Sequence, residues 1–184
     1  YDGVNTNELD DLAANICSSM IVDNPDYDQL ASRVSISNHH KKTLDKFSDT
    51  IERLFKYKKT KLISDDVYNV VQRNSEILDS RIQYERDYMF EYFGFKTLER
   101  SYLLSIDGKA VERPQDMWMR VSIGIHGDDI EKVLETYDCM SLKLFTHATP
   151  TLFNFGTKRE QGSSCFLIMM QADAVSAMYN TLHD

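Results

Sequence analysis

Basic residues are in short supply in this chain: 21 Lys and Arg face 29 Asp and Glu across 184 residues, a formal net charge of −8. Binding along a phosphate backbone is driven by clustered Lys and Arg, so a nucleic-acid surface is not expected, although a pocket for a single phosphate stays open. Cysteine is equally sparse. Cys17, Cys139 and Cys165 stand at long, irregular spacing, which makes neither a disulfide framework nor a CxxC zinc site. An odd, low count fits a reducing compartment, so a cytoplasmic location is expected. Long apolar runs are missing too: the longest, Cys165 to Met170, is far too short to cross a bilayer. No basic-then-apolar leader opens the chain. It starts at Tyr1 and stops inside a helix-like pattern, so a piece of a longer protein is expected.

What remains is a mixture of 42% hydrophobic and 27% charged residues, ordinary for a folded globular protein. Helical spacing dominates. Leu9, Leu12, Ala13, Ile16 and Met20 predict a helix over 7–22 with Thr6 as its N-cap, and Asn24-Pro25-Asp26 breaks it. Leu30, Val34, Leu44, Phe47, Ile51 and Leu54 predict one long helix over 27–56, ending in a basic stretch at Lys58 and Lys59. Ser64-Asp65-Asp66 caps a third helix, and Asn74-Ser75-Glu76 starts a short fourth. The aromatics from Tyr84 to Tyr102 could stack on bases, but such binders also need a basic groove, and the acids among them favour core packing. Asp107-Gly108 marks a small hairpin, Pro114 a helix start, and Gly127-Asp128-Asp129 a further cap. A strand is expected over 164–170, followed by a helix from Ala174. Many helices followed by a strand-helix unit predict an all-α domain feeding into the first strand of an α/β domain.

Three constellations could carry chemistry. On the 27–56 segment, Ser37, Asn38 and Lys41 interrupt the apolar face. A lysine in that register must snorkel, pair with an acid, or meet a bound anion such as a nucleotide phosphate, shared with the start of the first helix at Thr6. His39 and His40 are adjacent and point about 100° apart on a helix, so they cannot chelate one metal together. With His126, His147 and His183 also lacking ligand spacing, no metal site is assigned. Cys17 and Cys139 read as small helical hydrophobes. Cys165 differs: Gly162-Ser163-Ser164 delivers it to the mouth of the apolar run Phe166-Leu167-Ile168-Met169-Met170, where a thiol is accessible and surrounded by donors. A buried structural role stays open for it, and thiol-disulfide chemistry would need a second cysteine that no motif here supplies.

Several segments together resemble the large (catalytic) subunit of class I ribonucleotide reductase, in its eukaryotic and viral branch. They are Tyr92-Phe93-Gly94-Phe95-Lys96-Thr97-Leu98-Glu99-Arg100-Ser101-Tyr102-Leu103-Leu104, Glu112-Arg113-Pro114-Gln115, Val121-Ser122-Ile123-Gly124-Ile125-His126, Phe145-Thr146-His147-Ala148-Thr149-Pro150-Thr151-Leu152-Phe153-Asn154 and Ser163-Ser164-Cys165-Phe166-Leu167. The resemblance implies a mainly α fold: the C-terminal part of an ATP-cone over 1–22, a helical N-terminal domain over 23–145, and the start of a ten-stranded α/β barrel over 146–184. It implies that Cys165 is one half of the dithiol that reduces the ribose, and that Thr149 and Ser164 contact substrate. Thr6, Asp10 and Lys41 would line an ATP/dATP activity site. Asp173, Ala174 and Val175 would begin the site for dNTP specificity effectors, where Ala174 replaces a common serine and weakens one expected contact.

The same resemblance implies a ribonucleoside diphosphate substrate, a homodimer of large chains, and a small subunit carrying a metal-radical cofactor. Thioredoxin or glutaredoxin would serve as reductant, with no covalently bound cofactor in this chain. The radical cysteine and the partner thiol of Cys165 would lie beyond Asp184, so these residues alone are expected to be inactive. The rival reading from the residues is a non-catalytic helical nucleotide-sensing or scaffold module with Cys165 buried.

Overall fold

The computed structural model describes residues 3–57, 59, 62–170 and 172–183, and helices dominate them. Helix α1 (Thr6–Ser19) starts one residue earlier than expected: Asn5, not Thr6, is the N-cap, its side chain accepting from the Asn7 amide. Helix α2 (Asp26–Lys42) follows Pro25, with Asp26 and Asp28 in its first turn and His39 to Lys42 in its last. This charge order complements the helix dipole at both ends.

The single helix expected over 27–56 is two helices, α2 and α3 (Phe47–Phe55). The break has a tertiary cause. Thr43 is extended (φ −116°, ψ 166°), and its hydroxyl donates to the His39 carbonyl at 3.0 Å while accepting from Arg113 Nε at 2.8 Å. An apolar period is silent about a partner that far along the chain. Lys58, expected in the basic stretch, lies outside the described residues, and α3 ends before it.

Helix α4 (Asp65–Arg81) is capped by Ser64, as the sequence predicts. The helix start expected at Asn74 is instead a kink within α4: Asn74 leaves helical geometry (φ −123°, ψ 20°), and its side-chain amide donates to the Val70 carbonyl. A 3₁₀ turn (Tyr84–Met89) and α5 (Tyr92–Ser101) carry the aromatics, and Phe95 is fully buried there. Strands β1 (Ser105–Ile106) and β2 (Lys109–Ala110) pair antiparallel across Asp107 and Gly108, whose φ values of 49° and 77° are those of a tight primed turn.

Helix α6 (Pro114–His126) is the centre of the molecule. Every residue from Pro114 to Ile123 is buried, the signature of a helix surrounded on all sides. Helix α7 (Ile130–Ser141), capped by Asp129, lies against it with Val133, Tyr137 and Met140 buried. Leu54, Ile63, Val71, Leu78 and Leu152 close the same core. The short α8 (Thr149–Asn154) packs on α6, and α9 (Val175–His183) ends the described chain.

The strand expected over 164–170 does not form. Those residues are irregular and exposed, with the side chains of Phe166 to Met170 facing solvent. A strand needs a neighbour for its amides and carbonyls, and none of the described residues pairs with this segment. The described residues are therefore mainly helical and hold no barrel. Among them, no helix is long and apolar enough to cross a membrane.

Candidate functional site

Helices α1 and α2 pack along each other and bring Asp10 and Lys41 together. Lys41 Nζ donates to Asp10 Oδ2 at 2.7 Å, and one residue on, Lys42 Nζ reaches Asp11 Oδ2 at 3.2 Å. Buried Asn38 fixes the register between the helices by donating to the Asn7 carbonyl (3.0 Å) and Asp11 Oδ1 (2.8 Å). Of the roles open to Lys41 in the sequence, pairing with an acid is present. Its side chain stays about half exposed at 53% and lines a cavity of about 330 Å³ with Asp10, Arg33, Val34, Ser37 and Tyr88. Thr6 is exposed one helical turn before Asp10, so the two share a face of α1. Two cations, a carboxylate, a hydroxyl and a tyrosine thus surround a small hollow, with Lys41 paired to Asp10.

The last turn of α2 ties this pair to the rest of the domain. His39 Nε2 lies 2.8 Å from the Glu112 carbonyl, and His40 Nε2 lies 2.8 Å from Asp87 Oδ2. The two imidazoles are thus engaged separately. Glu99 on α5 faces His39 and Lys96; burial alone would raise its pKa, but their hydrogen bonds prevail and hold it at about 2. Among the described residues, no group of three His, Cys, Asp or Glu could hold a metal ion.

Thr149 opens α8. Its Oγ1 lies 3.1 Å from the Tyr102 hydroxyl, and the Tyr102 ring stacks on Phe153 with centroids 4.7 Å apart. It lines a largely apolar cavity of about 660 Å³ together with Trp118, His147 and Leu152. Burial pushes the His147 pKa down, and the charge of His126 adds to the effect, which favours the neutral ring. Ser164 and Cys165 are exposed, on the segment that follows the loop 155–162. No hydrogen bond among the described residues joins them to Thr149. Cys17 and Cys139 are half-buried, so Cys165 is the most accessible of the three thiols. Asp173, Ala174 and Val175 are exposed at the start of α9.

Sequence reasoning missed Glu112 and Arg120. Both are completely buried, and Arg120 Nε donates to Glu112 Oε1 at 2.5 Å. A signal existed: Arg120 stands in the middle of Met117-Trp118-Met119-Arg120-Val121, where a lone charge on an apolar helix must find a buried partner.

Comparison with known proteins supplies the context for this geometry. The family model "Ribonucleotide reductase, all-alpha domain" matches residues 88–160. The chain is 53% identical to "Ribonucleoside-diphosphate reductase large chain 2" of Saccharomyces cerevisiae, over 100% of this chain and 22% of that protein. It is 51% identical to the "Ribonucleoside-diphosphate reductase large subunit" of Arabidopsis thaliana, over 100% of this chain and 23% of that protein. Identity to the large subunit of Plasmodium falciparum is 52%, over 99% of this chain and 23% of that one. The chain therefore spans less than a quarter of the length of these relatives. With about half of its residues identical along its whole length and the all-alpha domain matched across α6, α7 and α8, the chain belongs to the ribonucleotide reductase large-subunit family.

Proposed function

We propose that these residues serve a ribonucleoside-diphosphate reductase large chain, which converts ribonucleoside diphosphates to deoxyribonucleoside diphosphates for DNA synthesis. The observation that carries the reading is Cys165, an exposed thiol beside Ser164 in a chain about half identical to such large subunits. The net reduction balances when two thiols lose two electrons and two protons to become a disulfide, while the ribose 2′-hydroxyl leaves as water and a hydrogen takes its place. Cys165 supplies one electron and one proton of that sum. Its partner thiol and the radical-bearing cysteine belong to parts of the chain outside these residues. A metal-radical cofactor carried by the small subunit supplies the radical.

Thr149 and Ser164, both exposed hydroxyl residues, hold the diphosphate and ribose, Thr149 exchanging its bond to Tyr102 for the substrate. Asp10 and Lys41, with Thr6 on the same face of α1, form the ATP/dATP activity site, and Asp173 to Val175 begin the specificity-effector site. Residues 1–22 act as the end of an ATP-cone, 23–145 as the helical domain, and 146–184 as the start of the ten-stranded barrel. The working unit is a homodimer of large chains with a small subunit, kept reduced by thioredoxin or glutaredoxin in the cytoplasm. The test is formation of deoxyribonucleoside diphosphate by the full-length chain, its small subunit and a dithiol. Product is expected there and none from residues 1–184 alone. No product from the complete system, or turnover by the short chain, would overturn the reading.

A further inference from the structure

The loop between α8 and Cys165 is held from inside the protein. Arg120, fully buried on α6, donates through Nη1 to the Phe155 carbonyl at 2.6 Å and through Nη2 to the Leu152 carbonyl at 3.3 Å. These carbonyls belong to the end of α8, where a helix leaves its acceptors without backbone partners. The other edge of the guanidinium is fixed by Glu112: Nε to Oε1 at 2.5 Å and Nη2 to Oε2 at 3.2 Å. Glu112 is itself held by the Leu104 amide, which donates to Oε2 at 2.9 Å. One face of a planar cation is thus oriented by a carboxylate, and its remaining donors reach the loop.

A second, independent feature brings the same loop onto α6. Gly156 has φ +79°, and a β-carbon on it would stand 2.7 Å from Arg120 Cγ. A β-carbon on Gly124 would stand 2.4 Å from the Gly156 amide nitrogen. Backbone therefore lies directly on backbone, leaving the loop no room to settle closer. Upstream of this anchor lies Thr149; downstream lie Ser164 and Cys165.

A completely buried ion pair is a poor device for stability, because desolvation offsets much of the attraction, and apolar residues of similar volume pack as well or better. Two apolar side chains could not hold two carbonyl oxygens in fixed places. Arg120 is also sealed from solvent and cannot touch a ligand itself. We propose that Arg120, oriented by Glu112, is a positioning residue: it sets the loop from α8 to Cys165, and so the relative placement of Thr149 and the reducing thiol on a diphosphate-bearing substrate. This rests on the assignment of Thr149 and Cys165 under the proposed function.

The test uses the full-length large chain with its small subunit. Removing Arg120 alone strands the Glu112 charge in the core, so the informative variant is the neutral pair Glu112→Gln with Arg120→Met, accompanied by Arg120→Lys and Thr149→Ala. Melting temperature and effector binding report folding; KM and kcat for the substrate report placement. The expected result is a folded double variant that binds effector normally, with kcat/KM lowered about tenfold to a hundredfold. Arg120→Lys, which keeps the charge without the planar fork, should fall between it and wild type. Wild-type kcat/KM in the folded double variant overturns the proposal. Should that variant not fold, Arg120→Lys decides: a wild-type value overturns, and a lowered value at unchanged melting temperature supports. Wild-type kinetics in Thr149→Ala would instead refute the assignment of Thr149, whereas a defect there beside a normal double variant refutes positioning by Arg120 alone.

Discussion

Lys41 Nζ on α2 and Asp10 Oδ2 on α1 meet at 2.7 Å across the seam between the two helices. Both side chains keep solvent access, and both line the small hollow beside Arg33 and Tyr88. A charge pair in that setting adds little to folding. On the proposed reading, it holds in place a cation that exchanges its carboxylate for a phosphate when nucleotide binds.

Lys41→Met should therefore separate binding from stability. An exposed pair of this kind contributes about 0–1 kcal/mol, so the melting temperature should change little. ATP affinity of the full-length chain, measured by calorimetry, should fall about tenfold, the cost of one charge-assisted contact to a phosphate. Unchanged ATP affinity would remove Lys41 from the activity site.

Asp116 gives the domain a defined pH response. It is buried at the start of α6, and burial pushes its pKa up to about 7, against the hydrogen bonds it accepts from the Arg113 amide and the Tyr84 hydroxyl. The charges of Glu112 and Asp87 add to the rise. Between the ordinary carboxylate range and about 7, the folded state holds a proton that the unfolded chain has released. The stability from this site is thus full at low pH and is lost as pH rises through about 7. Asp116→Asn keeps an oxygen for the Arg113 amide and offers its amide to Tyr84, so it should remove this part of the decline. Denaturation midpoints below and above neutrality read the result, and an unchanged slope would contradict it.

Gly124→Ala should disturb the contact of α6 with the loop. Its β-carbon would fall 2.4 Å from the Gly156 nitrogen, which is backbone and cannot swing aside. Overpacking of this kind costs about 1–3 kcal/mol. Urea denaturation should show the loss, and a native midpoint would mean that the loop is free to move.

Accessibility also ranks the thiols. Cys165 is exposed, while Cys17 and Cys139 are half-buried in α1 and α7. With a chromogenic disulfide reagent, the native chain should show one fast thiol that disappears in Cys165→Ser. Fast labelling that survives the substitution would place the reactive thiol elsewhere.

The elements legible in the sequence are those set by neighbours along the chain. The caps Ser64 and Asp129, the helix start at Pro114 and the turn at Asp107-Gly108 all lie where their residue types place them. The break after Lys42 was hidden because Arg113, which bonds Thr43, is 70 positions away. The kink at Asn74 was mistaken for a helix start because its side chain bonds back to Val70, mimicking a boundary without making one. The apolar run after Cys165 reads as a strand, but a strand needs a neighbour, and none of the described residues pairs with it. Lys41 was legible from its place on an apolar face as needing an acid or an anion, but Asp10 entered only through resemblance, since nothing local says that α1 folds back along α2. The Glu112–Arg120 pair was overlooked because Arg120 lies in a run read for its apolar side and Glu112 stands eight positions before it.

The most direct test of the account is substrate turnover by the full-length large chain carrying Cys165→Ser, assembled with its small subunit and supplied with a dithiol. The account predicts that multiple-turnover formation of deoxyribonucleoside diphosphate is abolished while substrate and effector binding stay at wild-type levels. Sustained turnover by that variant would contradict it, and Cys165 would then be a bystander to the reduction.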